Sequence, residues 1–247
     1  APLVLLTESA SFDPDIVAKI DAQLKRGGNV VITSGFLKAM QEKYPAGGFR
    51  HIAEWTDTGR KALIGDFMQG YGAGNGQNLN DAKPAPILFP EIRFWTNDSW
   101  GIIRGLAGAK GYPILLMNRY AKGIVYLWTM PENPADLYRL PQGVVTQVKA
   151  FLMPQTALRL ESPAHVALFA YDNHAYVVES YRDTPVTVTL SLAEPGLVDA
   201  ESGKTLAAET APAVVPDPSR HGFQPPKRTL YRVTVPPHSW RVFKRAP

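Results

Sequence analysis

Carboxylates are the residues of this chain that could most readily do chemistry. Glu8 and Asp13 lie close together near the N-terminus, and Glu54 and Asp57 lie on either side of Trp55. Two carboxylates held roughly 5 to 10 Å apart across a cleft can hydrolyse a glycosidic bond. Acids that follow strands more often cap helices, which is the favoured interpretation here. Glu8 is the first catalytic candidate, because ligands collect beyond the carboxyl ends of parallel strands.

A second group of candidates is the aromatic segment from Trp95 to Trp100. Indole faces stack on sugar rings, and the side chains of Asn97 and Asp98 can bind hydroxyl groups. The favoured interpretation is that both indoles pack in a core or between domains, because tryptophan carries a large apolar surface. A carbohydrate-binding site made of Trp95, Asn97, Asp98 and Trp100 is the alternative.

Nucleophiles and metal ligands are poorly represented in the sequence. The chain has no cysteine, which excludes disulfides, zinc–thiolate sites and cysteine nucleophiles. Ser34-Gly35 lacks the preceding glycine of a nucleophile elbow, so Ser34 is expected to cap the following helix. The histidines do not have the short helical spacing of a metal site; they are His51, His165, His174, His221 and His238. We therefore expect no metal.

The glycine-rich segment from Gly70 to Gly76 invites a nucleotide-binding interpretation. Phosphate binding requires the glycines to lead directly into a helix N-terminus, where backbone N–H groups converge on the anion. Neither the glycine spacing nor the following sequence fits that requirement. The segment is expected to be a surface loop, and no cofactor is expected.

Charge and hydropathy limit the partners. The net charge is +4 and the isoelectric point is near 9.2. The basic residues are scattered, with the densest group at Arg241, Lys244 and Arg245, so nucleic-acid binding is not expected. No apolar run approaches the roughly 20 residues that a membrane span needs. The start at Ala1 suggests a mature or excerpted chain, and a secreted or periplasmic location is favoured over a cytoplasmic one.

The elements that position these residues change character along the chain. Residues 3–6 and 30–32 are predicted to be apolar strands, with a helix between them. Asp13 is the predicted N-cap of this helix, and Gly27-Gly28 ends it. Strand, helix and strand together form a βαβ unit. The next predicted elements are strands at 62–67 and 87–94, a short helix from Thr96 or Asn97 to Leu106, a hairpin of 114–117 with 124–128, and a helix over 144–152.

Short strands dominate the rest of the sequence. They are predicted at 165–170, 175–181, 186–192, 228–235 and 240–243, separated by turn residues. The pattern predicts a small antiparallel β-sandwich. The chain is therefore expected to be an α/β domain, residues 1–153, followed by an all-β domain, residues 154–247, with the boundary between Met153 and Pro163.

Several motifs resemble parts of known enzymes. Leu-Leu-Thr-Glu-Ser at 5–9, Ile-Asp-Ala-Gln-Leu-Lys-Arg-Gly-Gly-Asn-Val-Val-Ile-Thr-Ser-Gly at 20–35 and Tyr-Ala-Lys-Gly-Ile-Val-Tyr at 120–126 resemble the class I glutamine amidotransferase-like domain. That domain is a non-catalytic module of multidomain glycoside hydrolases, including the trimerisation domain of some β-galactosidases. The later segments 134–141, 197–204 and 235–240 are similar to the C-terminal parts of such enzymes, including their small β-sandwich.

The resemblance implies a flavodoxin-like layered α/β domain and a supporting role. Amidotransferases use a cysteine nucleophile, so its absence excludes glutamine hydrolysis by that mechanism. The resemblance also implies that a strand and a helix precede residue 1 in a longer protein. The leading hypothesis is a non-catalytic C-terminal region of a bacterial glycoside hydrolase, packed on an upstream catalytic domain or a neighbouring subunit. The alternatives are a hydrolase that uses Glu8 and a sugar-binding module centred on Trp95 and Trp100.

Overall fold

The computed structural model of the chain divides into two compact units, Ala1–Val144 and Val145–Pro247. The residues that it describes are 1–45, 48–70, 76–80, 85–95, 99–153, 156–193, 196–212 and 227–245. For residues 210–212 and 227 it describes the backbone only.

The first unit begins with the expected βαβ arrangement. Strand β1 (Leu3–Leu6) and strand β2 (Asn29–Thr33) are parallel, with helix α1 (Ile16–Lys25) between them. A short 3-10 helix, Glu8–Phe12, follows β1 directly. Helix α1 buries an apolar stripe and ends at Lys25; Gly27, just after its C-cap, has a φ of +88° that glycine adopts readily.

The predicted N-cap of α1 is wrong by two residues. The N-cap is Asp15, and Asp13 lies before it, with its carboxylate accepting a hydrogen bond from the Asp15 N–H at 2.9 Å. Asp13 also forms an ion pair with Lys19 at 2.5 Å, and the hydrogen bond from Lys19 lowers the pKa of Asp13. Asp13 therefore shapes the turn that enters the helix.

The remaining elements of the first unit complete a mixed sheet. They are α2 (Ser34–Lys43), β3 (Thr56–Ile64), β4 (Asp66–Gln69), β5 (Ile87–Arg93), β6 (Ser99–Ala107), β7 (Lys110–Tyr120), β8 (Gly123–Trp128) and a 3-10 helix (Pro134–Arg139). The sheet has the order β1-β2-β8-β7-β6-β4, parallel over its first three strands and antiparallel over the rest. Strands β3 and β5 pair separately as a two-stranded sheet. Helices α1 and α2 pack on one side of the main sheet around an apolar cluster that includes Trp55.

Two predictions for this unit need correction. The segment that ends at Leu106 is strand β6 and not a helix, because its backbone pairs with β4 on one side and β7 on the other. Its register is irregular between Gly101 and Arg104, which brings Ile102 and Ile103 both into the interior. The predicted strand at 62–67 is interrupted at Gly65 and belongs to β3 and β4. The hairpin of β7 and β8 is confirmed.

Helix α3 (Gln142–Leu152) follows, and the second unit is built from antiparallel strands. They are β9 (Leu158–Glu161), β10 (Val166–Ala170), β11 (Ala175–Ser180), β12 (Val186–Leu192), β13 (Leu197–Asp199), β14 (Glu209–Pro212), β15 (Lys227–Val235) and β16 (Ser239–Arg245). The sheets have the orders β10-β11-β16-β13 and β14-β15-β12-β9. Side chains from both sheets, such as Val178 and Tyr231, share one apolar core. This is the sandwich that the alternating pattern predicts.

A buried arginine fixes the start of this sandwich. Arg228 on β15 is 5% exposed, and its guanidinium donates to the Ser191 hydroxyl at 2.7 Å and to the Ser191 carbonyl at 2.6 Å. It also donates to the carbonyls of Thr156 and Ala157. Burial lowers the pKa of Arg228 to about 10. The arginine thus ties the segment before β9 to β12.

Candidate functional site

Glu8 lies at the carboxyl end of β1, beside the first turn of α2. An added Cβ at Gly35, in that first turn, would lie 3.4 Å from Oε2 of Glu8. The Glu8 side chain is exposed, and its charge lies near the positive end of the helix dipole. Asp13, the acid nearest to it in sequence, is engaged by Lys19. Glu8 is therefore placed to balance the positive end of the α2 dipole.

Ser34 follows β2 but is not placed as a nucleophile. Its side chain is buried, and its Oγ accepts a hydrogen bond from the Met130 N–H at 3.0 Å. The prediction that Ser34 caps α2 is wrong by one residue, because the N-cap is Thr33, whose Oγ1 accepts from the Phe36 N–H at 3.2 Å. Ser34 thus links the ends of two parallel strands, β2 and β8.

The second pair of acidic candidates has local roles. Glu54 is exposed, whereas Asp57 closes a turn by accepting the Gly59 N–H at 2.8 Å. The backbone of Asp57 is held by the Gln41 side chain, which accepts from its N–H at 2.6 Å and donates to its carbonyl at 3.3 Å. Asp57 is therefore fixed at the beginning of β3.

The histidines are spread over turns. His165, His174 and His238 have positive φ angles, and the ring of His238 lies 2.9 Å from the Asp183 carboxylate. His51 contacts the Gly48 carbonyl, and His221 lies outside the described residues. In the part of the chain that the structure describes, no three His, Asp or Glu side chains are grouped to hold a metal ion.

The two tryptophans of the predicted sugar site are exposed. Trp95 is 58% exposed and Trp100 is 40% exposed, in contrast to Trp55, which is buried and donates to the Ser99 hydroxyl at 2.6 Å. Strand pairing places Trp100 opposite Met117. Asn97 and Asp98 lie outside the described residues, as does the helix N-cap predicted at Thr96 or Asn97. Within the described chain both indoles keep exposed surface, and Trp95 keeps more than Trp100.

A polar cleft of about 640 Å³ lies along β3 and β5. At its centre the carboxylate of Glu91 binds Arg60 at 2.9 Å and Lys110 at 3.1 Å, and the Thr58 hydroxyl donates to the Glu91 carbonyl at 3.1 Å. The hydrogen bond from Lys110, aided by the charge of Arg60, lowers the pKa of Glu91. The Lys110 ammonium also lies 4.8 Å from the ring centre of Tyr112. The cleft is therefore lined by side chains in defined positions.

The cleft continues the row of outward side chains on β5. Ile92 and Phe94 pack into the core of the first unit, whereas Arg93 and Trp95 are exposed. Arg93 lies directly opposite Thr56 in the β3–β5 ladder. Glu91 and Arg93 thus alternate with Ile92 along β5, and Trp95 is exposed just beyond the end of the strand.

Sequence reasoning identified Trp95, just beyond the end of β5, but missed the residues that line this cleft. Arg60, Glu91 and Lys110 are far apart in sequence, and the register of the β3–β5 pair shifts between Asp57 and Lys61, the segment that contains Arg60. The available signals were Pro90, which predicted an edge or bulged segment, and the alternation Glu91-Ile92-Arg93-Phe94-Trp95.

A smaller cleft of about 220 Å³ is also lined by Thr56. Its lining is mainly apolar and includes Met40, Tyr44, Phe49 and Trp55, with Arg50 as its cation. Gln41 lines it too, but both polar groups of its side chain are used by Asp57. This cleft offers few free hydrogen-bonding groups.

The two units match two different family models. Residues 157–245 match the model described as "Probable glycosyl hydrolase, C-terminal domain". This match supports the assignment of the chain to the C-terminal region of a glycoside hydrolase. Residues 1–133, more than half of the chain, match the model described as "Uncharacterized protein SSO3021, second domain", and the chain belongs to that family. No curated protein matches the sequence.

Solved β-galactosidases are similar to the chain over almost its whole length. The enzyme from Rahnella sp. R3 aligns with a TM-score of 0.50 at 14% identity, covering 99% of this chain and 31% of that one. The enzymes from Bacillus circulans sp. alkalophilus and Halorubrum lacusprofundi both give TM-scores of 0.48, at 15% and 12% identity, covering 98% of this chain and 32% and 31% of theirs. The chain spans about a third of the length of these proteins, and the likeness to the Rahnella enzyme concerns the fold alone.

Proposed function

We propose that this chain is a non-catalytic accessory region of a glycoside hydrolase, which supports a catalytic domain or a subunit assembly elsewhere in the protein. The observation that carries the proposal is the arrangement at the carboxyl ends of β1, β2 and β8, where catalytic groups of layered α/β proteins collect. Ser34 is buried and bonded to Met130 there, and Glu8 faces the start of α2. Both candidate catalytic side chains therefore have structural roles.

Two further features support this proposal. The second unit matches a probable glycosyl hydrolase C-terminal domain, and the first has three parallel strands with helices between them, as an amidotransferase-like module would. The flavodoxin-like, amidotransferase-like relationship is part of the proposal. The proposed partners are an upstream catalytic domain or a neighbouring subunit.

Hydrolysis assays test the accessory role directly. The 247-residue chain is incubated with a panel of aryl glycosides, and no turnover above background is expected. Glu8→Gln and Ser34→Ala are then introduced into the full-length protein that contains this chain. Its hydrolytic activity, corrected for the amount of folded protein, is expected to stay within about twofold of that of the unmodified protein. Turnover by the chain that disappears in Glu8→Gln would establish the alternative, a hydrolase using Glu8.

Sugar binding at Trp95 and Trp100 is a second candidate function, favoured by the exposure of both indoles. Asn97 and Asp98 belong to this candidate site by sequence alone. The double change Trp95→Ala and Trp100→Ala is expected to abolish binding on a glycan array, while circular dichroism shows that the variant is still folded. Retained glycan binding in the folded double variant would remove this candidate.

A further inference from the structure

Arg93 in the β3–β5 cleft has no fixed partner. No hydrogen bond or ion pair joins its guanidinium to another group among the described residues, although the neighbouring cations Arg60 and Lys110 are both bound to Glu91. A guanidinium presents a planar fork of donors that matches a carboxylate in two parallel hydrogen bonds. Arg93 is therefore available to an anionic ligand.

The charge of the cleft also favours an anion. Three cations, Arg60, Arg93 and Lys110, face two carboxylates, Glu91 and Asp57. Glu91 is engaged by two of the cations, and Asp57 by the Gly59 N–H. The cleft therefore has one more cationic than anionic side chain, and Arg93, which lies opposite Thr56 in the strand pair, is the cation that no described carboxylate engages.

Trp95 adds an apolar surface next to that charge. Residues two apart on an extended chain are spaced by roughly 6 to 7 Å on the same side. Trp95 lies two residues beyond Arg93, just after the end of β5, and its indole is 58% exposed. An aromatic face beside a carboxylate-binding arginine suits a ring that is apolar on one face and carries an acid group.

We propose that the β3–β5 cleft binds an oligosaccharide that contains uronic acid residues. Arg93 pairs with a sugar carboxylate, Trp95 stacks on a neighbouring ring, and Thr56 contributes a hydroxyl opposite Arg93. The cleft volume of about 640 Å³ is sufficient for a short oligosaccharide. This proposal goes beyond the accessory role, because it assigns a class of ligand to the cleft. Of Thr56, Arg93 and Trp95, the sequence alone predicted only Trp95 as a sugar-binding residue.

Titration by NMR tests the site with the 247-residue chain. The probes are tetragalacturonate and the same tetrasaccharide with its carboxyl groups reduced to alcohols. Tetragalacturonate is expected to shift the amide signals of residues 56–60 and 91–95, and the reduced probe is expected to bind at least tenfold more weakly. Absence of tetragalacturonate binding, or equal binding of both probes, would overturn the proposal.

Variants separate the roles of the two side chains. Arg93→Gln is expected to weaken tetragalacturonate binding at least tenfold and to leave the reduced probe unaffected, whereas Trp95→Ala weakens binding of both. Arg232→Gln and Trp240→Ala, which alter comparably exposed residues of the second unit, are matched controls with unchanged affinity. Unchanged amide signals away from the cleft verify folding.

The competing ligand is an acidic peptide. Hexaglutamate is titrated under the same conditions, and binding as tight as that of tetragalacturonate would refute the carbohydrate assignment. These binding measurements do not depend on hydrolysis. If tetragalacturonate does not bind, the proposed accessory role is unaffected. If the chain hydrolyses a glycoside, the accessory role is refuted and the binding result is unaffected.

Discussion

The carboxylate of Asp199 illustrates how firmly single acids are held in the second unit. Asp199 is buried and accepts hydrogen bonds from the Ser202 N–H at 2.8 Å and the Ser202 hydroxyl at 2.9 Å, and it pairs with the Arg241 guanidinium. These contacts, the Ser202 backbone bond first, lower the pKa of Asp199 to about 2. Its ionised form therefore stabilises the turn after β13.

Asp199→Asn is expected to reduce the free energy of unfolding by about 1–3 kcal/mol at pH 7, because a charged hydrogen-bond network is lost. The folded pKa lies below the unfolded value of 3.8, so the contribution of the carboxylate is complete above about pH 5 and is lost as the pH falls toward 2. Urea unfolding at pH 7, 4.5, 3 and 2 measures the difference.

The matched control for this change is Asp183→Asn, which alters an exposed carboxylate in the same unit. Its effect is expected to be small at each pH, since exposed ion pairs contribute little. A difference between Asp199→Asn and the unmodified chain that stays constant from pH 7 to pH 2 would contradict the role given to the Asp199 charge.

At the scale of elements, sequence patterns located the βαβ unit, the β7–β8 hairpin and several sandwich strands. These elements could be predicted because their apolar periodicity and turn residues agree with their final environment. Strand β6 could not, because capping residues before an apolar segment suit a helix, whereas two neighbouring strands decide its conformation. The same limit applies to Arg60 and Glu91, whose pairing depends on a strand register.

Gly123 is the position where two elements approach too closely for a side chain. An added Cβ would lie 2.3 Å from the Gly28 carbonyl oxygen and 3.0 Å from the Leu24 Cα, both backbone atoms that cannot rotate away. Gly123→Ala is expected to destabilise the chain by about 2–4 kcal/mol. Chemical denaturation measures this loss, with Gly111→Ala as the control, because its Cβ would make only ordinary contacts.

At the scale of the whole molecule, the start of the second domain depends on whether helix α3 belongs to it. The sequence places the boundary between Met153 and Pro163, whereas the compact units divide between Val144 and Val145. The Lys149 ammonium on α3 donates to the Leu160 carbonyl of β9 at 3.1 Å. We therefore expect α3 to contribute to the stability of the sandwich.

Two fragments test this expectation. A fragment of residues 142–247 is expected to unfold cooperatively and to be more stable than a fragment of residues 156–247 by at least about 1 kcal/mol, the typical contribution of a hydrogen bond with its local packing. Circular dichroism during urea titration provides the comparison. Equal stability of the two fragments would place α3 outside the domain and favour the boundary read from the sequence.

The separate pairing of β3 with β5 has a consequence for how related proteins can diverge. These strands form their own two-stranded sheet, so the parallel strands β1, β2 and β8 do not depend on the side chains that β3 and β5 turn outward. Substitutions at Thr56, Arg93 or Trp95 can therefore accumulate with little cost to folding. Descendants of one ancestor could in this way exchange one ligand preference for another while inheriting the same architecture.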